Sequence, residues 1–233
     1  MKTGVILAGG FGTRLQSVVK DVPKCMAEVA GKPFLKHMFN YLEKESFDHI
    51  VLSLGYKADI IEEWIKTEDF PFTISTVIEK EPLGTGGAIA FAFREIESTK
   101  AYVFNGDTFF DVETDQLYAL HFDKKSDISI ALKPMQDFDR YGSVDIDNNQ
   151  RIINFNEKKY CKKGLINGGM YLINRDLFKR LALNDKFSFE KDVLESRINE
   201  LAIYGCLQEG YFIDIGIPGD FEKANVDFSN QLS

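Results

Sequence analysis

Short apolar runs alternate with amphipathic stretches along the first half of the chain. The run at residues 3–8 predicts a buried β-strand, and further strands are predicted at residues 49–54, 73–78 and 100–105. Between them, apolar residues that recur every three or four positions predict helices at residues 34–42, 57–66 and 87–96. An alternation of strands and helices in this order is typical of a parallel sheet that is covered by helices.

The second half of the chain has a less regular pattern. Strands are predicted at residues 127–132, 144–146, 151–155, 167–173 and 202–206, and helices at residues 188–196 and 219–228. The polar tetrapeptide at residues 147–150 suits the turn of a β-hairpin. We therefore predict an α/β fold with three α/β/α layers and a Rossmann-like mixed, mostly parallel sheet, to which the second half adds a hairpin.

Length and cysteine content limit the class of protein. The chain has 233 residues, 44% of them hydrophobic, which suits one α/β domain whose core needs no disulfides. Cys25, Cys161 and Cys206 are far apart in sequence and form no CxxC pair. This pattern fits a protein of a reducing compartment and argues against a zinc site. No apolar run approaches the roughly 18 residues of a membrane span. We expect a cytoplasmic protein without a signal peptide.

The net charge of the chain excludes some partners. Lys and Arg number 28 against 36 Asp and Glu, which gives a net charge of −8 and argues against a nucleic-acid or anionic-membrane surface. This average conceals a difference between two segments. Residues 11–36 carry five basic and two acidic side chains, whereas residues 207–233 carry one lysine and five acidic side chains. An anionic ligand would therefore meet a local basic site, with a metal ion supplying further positive charge.

A glycine-rich segment directly follows the first predicted strand. It comprises Leu7, Ala8, Gly9, Gly10, Gly12, Thr13 and Arg14. Glycines at this edge of an α/β sheet can expose backbone N–H groups to phosphate oxygens, although a plain glycine-rich turn fits the glycines equally well. The Arg14 guanidinium, which can clamp a diphosphate, favours the phosphate site. The segment matches neither the dinucleotide fingerprint nor the P-loop.

Three further side chains carry candidate chemistry. Pro23 limits where Lys24 can point, and we interpret this lysine as functional. Asp107 follows the fourth predicted strand, close to the glycine-rich segment if strands one and four are neighbours. Asp214 lies between two isoleucines, where a carboxylate is costly unless it is paired or binds a cation. Magnesium takes one or two carboxylates plus substrate phosphates, so the two aspartates are candidate ligands. A turn or cap role for Asp107 and a salt bridge for Asp214 are the alternatives.

Taken together, these segments resemble the sugar-1-phosphate nucleotidylyltransferases. The resemblance rests on residues 7–15, 23–24, 83–88, 105–107 and 214–216, and it extends from Gly4 to about Ala224. Within this family the likeness is strongest to the D-glycero-α-D-manno-heptose 1-phosphate guanylyltransferases, on residues 17–24, 137–142, 164–169 and 210–218. It implies one nucleotidyltransferase domain over residues 1–233, with a nucleotide-binding half at about 1–110 and a sugar-phosphate-binding half at about 111–233.

The resemblance also implies roles for individual residues. The segment from Leu7 to Arg14 would hold the triphosphate, Lys24 would neutralise charge around the reacting phosphates, and Asp107 and Asp214 would bind Mg²⁺. Asn105 and Gly106 would lie beside the nucleotide, and Gly84 and Thr85 against its base and ribose. The sugar phosphate would be held by Gly142, Glu157, Lys158, Asn167 and Gly168. Cys25 departs from relatives that carry proline after the lysine. A thiol beside Lys24 has either a lowered pKa and some reactivity or no role beyond its small size.

The identity of the nucleotide base follows from hydrogen-bond chemistry. Guanine presents two adjacent donors, N1–H and N2–H₂, to which a carboxylate is complementary, whereas uracil and thymine suit an amide better. Glu79 and Glu81 precede the second glycine-rich loop, and no glutamine stands there. We therefore predict GTP, with Glu81 the better candidate because Pro82 fixes the chain beside it. The alternative is that both glutamates are solvated and backbone groups read the base.

The predicted reaction is attack of a sugar 1-phosphate oxygen on the α-phosphorus of GTP, with release of pyrophosphate. The nucleophile is already an anion, so the protein supplies positioning and charge neutralisation rather than a general base. The sugar is heptose or mannose 1-phosphate, and glucose 1-phosphate with UTP or dTTP is a further alternative. A glycosyltransferase, an oxidoreductase and a non-catalytic sugar-nucleotide sensor fit the motifs less well. A monomer or small homo-oligomer is expected, without nucleic-acid or membrane partners.

Overall fold

The computed structural model describes residues 1–10, 15 and 21–231. Its strands are β1 (Thr3–Ala8), β2 (Glu28–Val29), β3 (Lys32–Pro33), β4 (His49–Leu54), β5 (Thr73–Ile78), β6 (Lys100–Asn105), β7 (Thr108–Phe110), β8 (Ile128–Phe138), β9 (Ser143–Ile146), β10 (Ile152–Phe155), β11 (Cys161–Asn174), β12 (Ile203–Leu207) and β13 (Phe212–Asp214). Its helices are α1 (Phe34–Lys44), α2 (Ala58–Ile65), α3 (Gly84–Ala92), α4 (Thr114–Asp123), α5 (Leu177–Leu181) and α6 (Pro218–Gln231), with a π-helix at Phe189–Glu195.

Within the described residues, nine strands form one mixed sheet that runs through both halves of the chain. The order is β10-β9-β11-β6-β1-β4-β5, and β8 pairs with β11 and β12. Strands β5, β4, β1 and β6 are parallel, whereas β11 runs antiparallel to β6, β8 and β9. The predicted mixed α/β fold is therefore confirmed, and so is the added hairpin, formed by β9 and β10.

Alternating side chains of the central strands divide the core into two layers. Val5 pairs in register with Val51 and Val103, and all three are buried on one face of the sheet beneath α3 and the π-helix. The next residues, Ile6 and Leu52, are buried on the opposite face beneath α1, α2 and α6. Each such side chain contributes about 1.5–3 kcal/mol when it is fully buried. This packing produces the predicted three layers and fixes the register of the strands that end at the site.

A bulge divides the long strand β11 into two parts. The pairing of β11 with β8 shifts register between Asn167 and Tyr171. Gly169 adopts φ +73° there, and a Cβ on Gly168 would come within 2.4 Å of the Phe110 ring. Another residue at position 169 would be strained by the positive φ, and one at position 168 would clash with Phe110, so both positions favour glycine. The bulge lets the first part of β11 pair with β9 while the second part joins the parallel strands through β6.

The structure departs from the predicted elements mainly in the second half. Strands β8 and β11 are longer than expected because their additional residues, most of which are exposed or half-exposed, pair with each other beyond the core, as Lys163 does with Gln136. Helix α4 and the two-stranded sheet of β7 and β13 were not predicted. Helix α3 begins at Gly84 rather than residue 87. None of the helices in the described part of the chain has the length and apolarity that a bilayer crossing requires.

Candidate active site

A cavity of about 690 Å³ lies at the carboxyl ends of β1, β5 and β6. Most of the predicted nucleotide-binding residues that the structure describes line it: Leu7, Ala8, Gly9, Gly10, Lys24, Glu79, Glu81, Gly84, Thr85, Asn105, Gly106 and Asp107. Parallel pairing of β1 with β6 brings the two strand ends together, and the Gly106 N–H donates to the Leu7 carbonyl at 3.0 Å. Gly12, Thr13 and Arg14 lie outside the described residues.

Lys24 and the two predicted metal ligands form one charged cluster. The Lys24 Nζ lies 2.6 Å from Asp107 Oδ2 and 3.7 Å from Asp214 Oδ1. Asp214 reaches this point because β13 pairs with β7, directly after Asp107, and the Ile215 N–H donates to the Asp107 carbonyl. Two carboxylates that are 107 positions apart in sequence therefore converge on one ammonium group.

Burial and like charge both act on Asp214. Desolvation raises the pKa of its carboxyl and the neighbouring Asp107 raises it further, while Lys24 and the Gly216 N–H, which donates to Oδ1 at 2.7 Å, oppose the rise. The pair therefore carries more negative charge than Lys24 alone neutralises. Over the described residues, no group of three or more His, Cys, Asp or Glu side chains could hold a metal. Two neighbouring carboxylates are the donor set that Mg²⁺ takes when substrate phosphates complete its shell.

Arg140 lies beside this cluster, and the sequence analysis did not single it out. It forms an ion pair with Asp220 in the first turn of α6, and its guanidinium lies 5.6 Å from the centroid of the Tyr141 ring. Its charge lowers the pKa of Asp214, and burial followed by the charge on Asp214 raises the pKa of Tyr141 to about 12. The only available signal was its place in the segment of residues 137–142 that carried the closer resemblance.

The loop between β5 and α3 forms the opposite wall of the cavity. Glu79 is half-buried and its Oε2 accepts a hydrogen bond from the Leu83 N–H at 2.9 Å, whereas Glu81 is exposed. Gly84 has φ +74°, and a Cβ there would lie 2.5 Å from the Phe187 carbonyl oxygen. The loop is thus packed tightly against the segment that precedes the π-helix, which is why α3 begins at its first glycine.

Glu190, in the first turn of the π-helix, also lines the cavity and was missed by the sequence analysis. Its Oε2 accepts hydrogen bonds from Thr85 Oγ1 at 2.6 Å and Ser188 Oγ at 3.0 Å. Thr85 Oγ1 in turn accepts from the Phe189 N–H at 2.9 Å. No motif marks Glu190, because its contact with Thr85 joins residues that are 105 positions apart.

The predicted sugar-phosphate residues do not line this cavity. Glu157 and Lys158 are exposed in the loop between β10 and β11. A Cβ on Gly142 would lie 2.4 Å from the Asn156 carbonyl oxygen, so the turn after β8 packs against that loop. Gly168 lies in the β11 bulge. Asn167 donates from Nδ2 to the Tyr171 hydroxyl at 2.9 Å and accepts from the Gly169 N–H at 3.0 Å.

A lowered pKa for the Cys25 thiol, one of two possibilities considered above, is wrong. Cys25 is buried in the short turn at Lys24–Met26, and burial raises its pKa to about 12. The charge on Asp107 adds to this rise. The desolvation penalty on a thiolate exceeds any benefit from the neighbouring lysine, whose ammonium points to the two aspartates instead. Cys25 is therefore an apolar packing residue behind Lys24.

Comparison with known proteins identifies the family of the chain. The chain matches the Nucleotidyl transferase family over residues 3–231. It is 44% identical over 228 residues to a D-glycero-alpha-D-manno-heptose 1-phosphate guanylyltransferase of Aneurinibacillus thermoaerophilus, covering 98% of this chain and 99% of the relative. A protein of the same name from Campylobacter jejuni subsp. jejuni serotype O:2 is 46% identical over 217 residues, covering 93% and 96%.

A solved structure is similar as well. The crystal structure of HddC from Yersinia pseudotuberculosis complexed with GMP-PN superimposes with a TM-score of 0.87 at 42% identity, covering 98% of this chain and 100% of that chain. The family match and these near-complete alignments confirm the resemblance drawn from the motifs. The chain belongs to the nucleotidyl transferase family.

Proposed function

We propose that the protein is a guanylyltransferase that converts GTP and D-glycero-α-D-manno-heptose 1-phosphate into GDP-heptose and pyrophosphate. The observation that carries the proposal is the convergence of Asp107 and Asp214 on Lys24, which with Asp107 lines the cavity where β1 and β6 end. The names of the two relatives support the choice of nucleotide and sugar. The product is an activated sugar, the form of donor that glycosyl transfer to a bacterial surface polysaccharide consumes.

The chemistry of the site supports nucleotidyl transfer without a general base. The attacking oxygen belongs to a phosphate and is already ionised. The three histidines bind protein groups instead: His37 contacts the Val29 carbonyl, His49 contacts Ser75, and His121 contacts Ser129 and Asn174. None of them lines the cavity. Catalysis then rests on orientation of two anions and on neutralisation of their charge.

Asp107 and Asp214 would hold Mg²⁺, and their paired carboxylates fit this ion. When bound, the ion would neutralise phosphate charge and polarise the α-phosphoryl group. Lys24 now bridges the same two carboxylates, and its flexible side chain can turn from them to a phosphate oxygen. Arg14 and Lys158 would add positive charge at the triphosphate and at the sugar phosphate, as the family resemblance implies.

Glu79 is better placed than Glu81 to read guanine. The Leu83 N–H fixes one oxygen of its half-buried carboxylate, and the other oxygen, Oε1, lies 3.2 Å from where a Cβ on Gly9 would be. The Glu79 carboxylate therefore lies between the loop that joins β5 to α3 and the glycine-rich segment at Gly9. Glu81, although it also lines the cavity, is exposed and less constrained. A hydrogen-bond acceptor that is already fixed loses less conformational entropy on binding than a mobile one, so it discriminates better between ligands.

This assignment is tested with Glu79→Gln and, as a matched control, Glu81→Gln. We expect Glu79→Gln to lower kcat/KM for GTP by about 10- to 100-fold and to narrow the preference for GTP over UTP. Glu81→Gln should change the preference little. The ratio of initial rates with GTP and with UTP measures this preference. An unchanged ratio in Glu79→Gln together with a collapsed ratio in Glu81→Gln would assign the base to Glu81 instead.

The overall proposal is tested by pyrophosphate release from GTP with heptose, mannose or glucose 1-phosphate, and from UTP or dTTP with the same sugars. We expect the highest kcat/KM for GTP with heptose 1-phosphate. A higher value with mannose 1-phosphate would reassign the sugar, and a preference for UTP or dTTP would reassign the base. Absence of pyrophosphate with every pair would favour a non-catalytic sensor. We propose the cytoplasm as the compartment, since three free cysteines suit a reducing environment.

A further inference from the structure

Glu190 is one of four acidic residues in the described part of the chain that line the cavity, with Glu79, Glu81 and Asp107. Unlike Glu79 and Asp107, it has no role in the function proposed above. A negative charge there would repel the triphosphate unless it faces a part of the ligand that donates hydrogen bonds. The two hydroxyl contacts from Thr85 and Ser188 both fall on Oε2. Among the described residues, none donates to Oε1, which leaves that oxygen for a ligand.

Glu190 lies on the side of the cavity that carries the predicted base-binding residues. Its Oε2 accepts from Thr85 in the first turn of α3, directly after the loop that carries Glu79 and Glu81. The same cavity is lined by Gly9, Gly10, Lys24 and Asp107, which we assign to the phosphates and the metal ion. In a nucleotide, the ribose occupies the interval between base and phosphate.

We propose that Glu190 is a specificity-determining residue that accepts hydrogen bonds from the ribose 2′- and 3′-hydroxyls and so selects ribonucleotides over deoxyribonucleotides. The proposal deepens the function given above and rests on a nucleotide being the ligand. A carboxylate is the acceptor that best pairs with a vicinal diol, because each of its oxygens has two lone pairs and carries charge. Thr85 and Ser188 hold Oε2, which leaves Oε1 to accept from the two hydroxyls.

The variant Glu190→Gln tests this role. It keeps the size of the side chain and an acceptor for Thr85, but replaces the second acceptor with a donor. We expect wild-type protein to favour GTP over 2′-deoxy-GTP by about 10- to 100-fold in kcat/KM. In Glu190→Gln the value for GTP should fall by more than the value for 2′-deoxy-GTP, which has only the 3′-hydroxyl to lose as a partner, and the ratio should approach one.

A matched control separates recognition from structure. Lys191→Ala changes the exposed side chain next to Glu190, which does not line the cavity, and it should keep the wild-type ratio of GTP to 2′-deoxy-GTP. Thermal unfolding of each variant shows whether the fold survives. If Glu190→Gln unfolds, Glu190→Asp, which shortens the side chain, replaces it and should also lower the ratio. An equal loss of kcat/KM for both nucleotides in a folded Glu190 variant would contradict the proposal. Glu190 would then only fix the positions of Thr85 and Ser188.

Two other outcomes are distinguishable. If the ratio is unchanged but Glu190→Gln alters the preference between heptose and glucose 1-phosphate, the carboxylate faces the sugar substrate and the proposal is wrong. If the wild-type protein releases no pyrophosphate from any pair of substrates, the proposed function fails instead. Titration calorimetry of wild type and Glu190→Gln with ribose and deoxyribose forms of each triphosphate then still decides the role of Glu190, and equal affinities in the wild type would contradict it.

Discussion

The parallel and antiparallel parts of the sheet carry their candidate functional residues at different kinds of position. Strands β1, β4, β5 and β6 end at one edge, and the packing of two core layers fixes where each strand ends. Side chains that follow these strands, such as Asp107 and Glu79, lie in a shared cavity. Strands β8 to β11 instead carry Glu157 and Lys158 on an exposed loop. A ligand site built on buried strand ends is formed before substrate arrives, whereas a site on an exposed loop depends on the substrate to complete it.

The largest expected effect comes from the carboxylates at the buried strand ends. Asp107→Ala and Asp214→Ala should each lower kcat by about 10³-fold or more while the fold survives, because the proposed metal site needs both. Asp111→Ala is the matched control, since Asp111 pairs with Lys44 and does not line the cavity. Initial rates of pyrophosphate release at saturating Mg²⁺ measure the effect. Near-normal turnover in both variants would contradict the metal assignment.

Lys24 should show the next largest effect. Lys24→Met removes the ammonium that neutralises two carboxylates and, in our proposal, a phosphate oxygen, so we expect kcat to fall by about 10²- to 10³-fold. The variant should also unfold at a lower temperature than wild type in EDTA and recover when Mg²⁺ is added, because the ion would replace the lost charge. Thermal unfolding with and without Mg²⁺ measures this. Equal melting temperatures of variant and wild type in EDTA would show that the ion pair adds no stability.

The exposed loop should give a smaller and more selective effect. Lys158→Ala is expected to raise KM for the sugar 1-phosphate by about 10-fold and to leave the affinity for GTP unchanged. Lys159→Ala, next to it in the same exposed loop, is the matched control and should have little effect. Steady-state kinetics with each substrate varied in turn distinguish the two. A change in affinity for GTP alone would show that the loop belongs to the nucleotide site.

The antiparallel part should also be the more acid-sensitive one. His121 of α4 contacts Ser129 on β8 and Asn174 on β11, and burial lowers its pKa to about 4 from 6.5. Because the folded state disfavours the protonated ring, the free energy of unfolding should fall as the pH drops from 6.5 toward 4. The loss approaches about 3 kcal/mol from this group.

Urea unfolding at pH 7 and pH 4.5 measures the acid sensitivity. The variant His121→Gln removes the titrating group, so it should be less stable than wild type at pH 7 but lose less stability on acidification. Parallel losses in wild type and variant would show that other groups account for the whole dependence on pH. The same experiment with His49→Gln is a control, because His49 contacts Ser75 within the parallel part.

The two parts also differ in how far the sequence predicts them. The strands at residues 49–54, 73–78 and 100–105 match the structure residue by residue. Apolar side chains fill both faces of the first and the last of them, whereas the strand at 73–78 is at the edge of the sheet and buries only Val77. The second half of β8 and the first half of β11 were missed, since half-exposed strands show no such signal. Asp107 was singled out because it follows a predicted strand, and Asp214 because it lies between two isoleucines. Glu190 and Arg140 were not, because their significance comes from contacts across the fold.

The most direct test of the account is ³¹P nuclear magnetic resonance of GTP and D-glycero-α-D-manno-heptose 1-phosphate with the wild-type protein and Mg²⁺. The account predicts loss of the three GTP signals and the sugar phosphate signal, with equal appearance of pyrophosphate and a GDP-linked sugar. The signals should not change when Asp107→Ala replaces the wild type. Unchanged GTP in the wild-type sample, or release of orthophosphate without a new sugar nucleotide, would contradict the account.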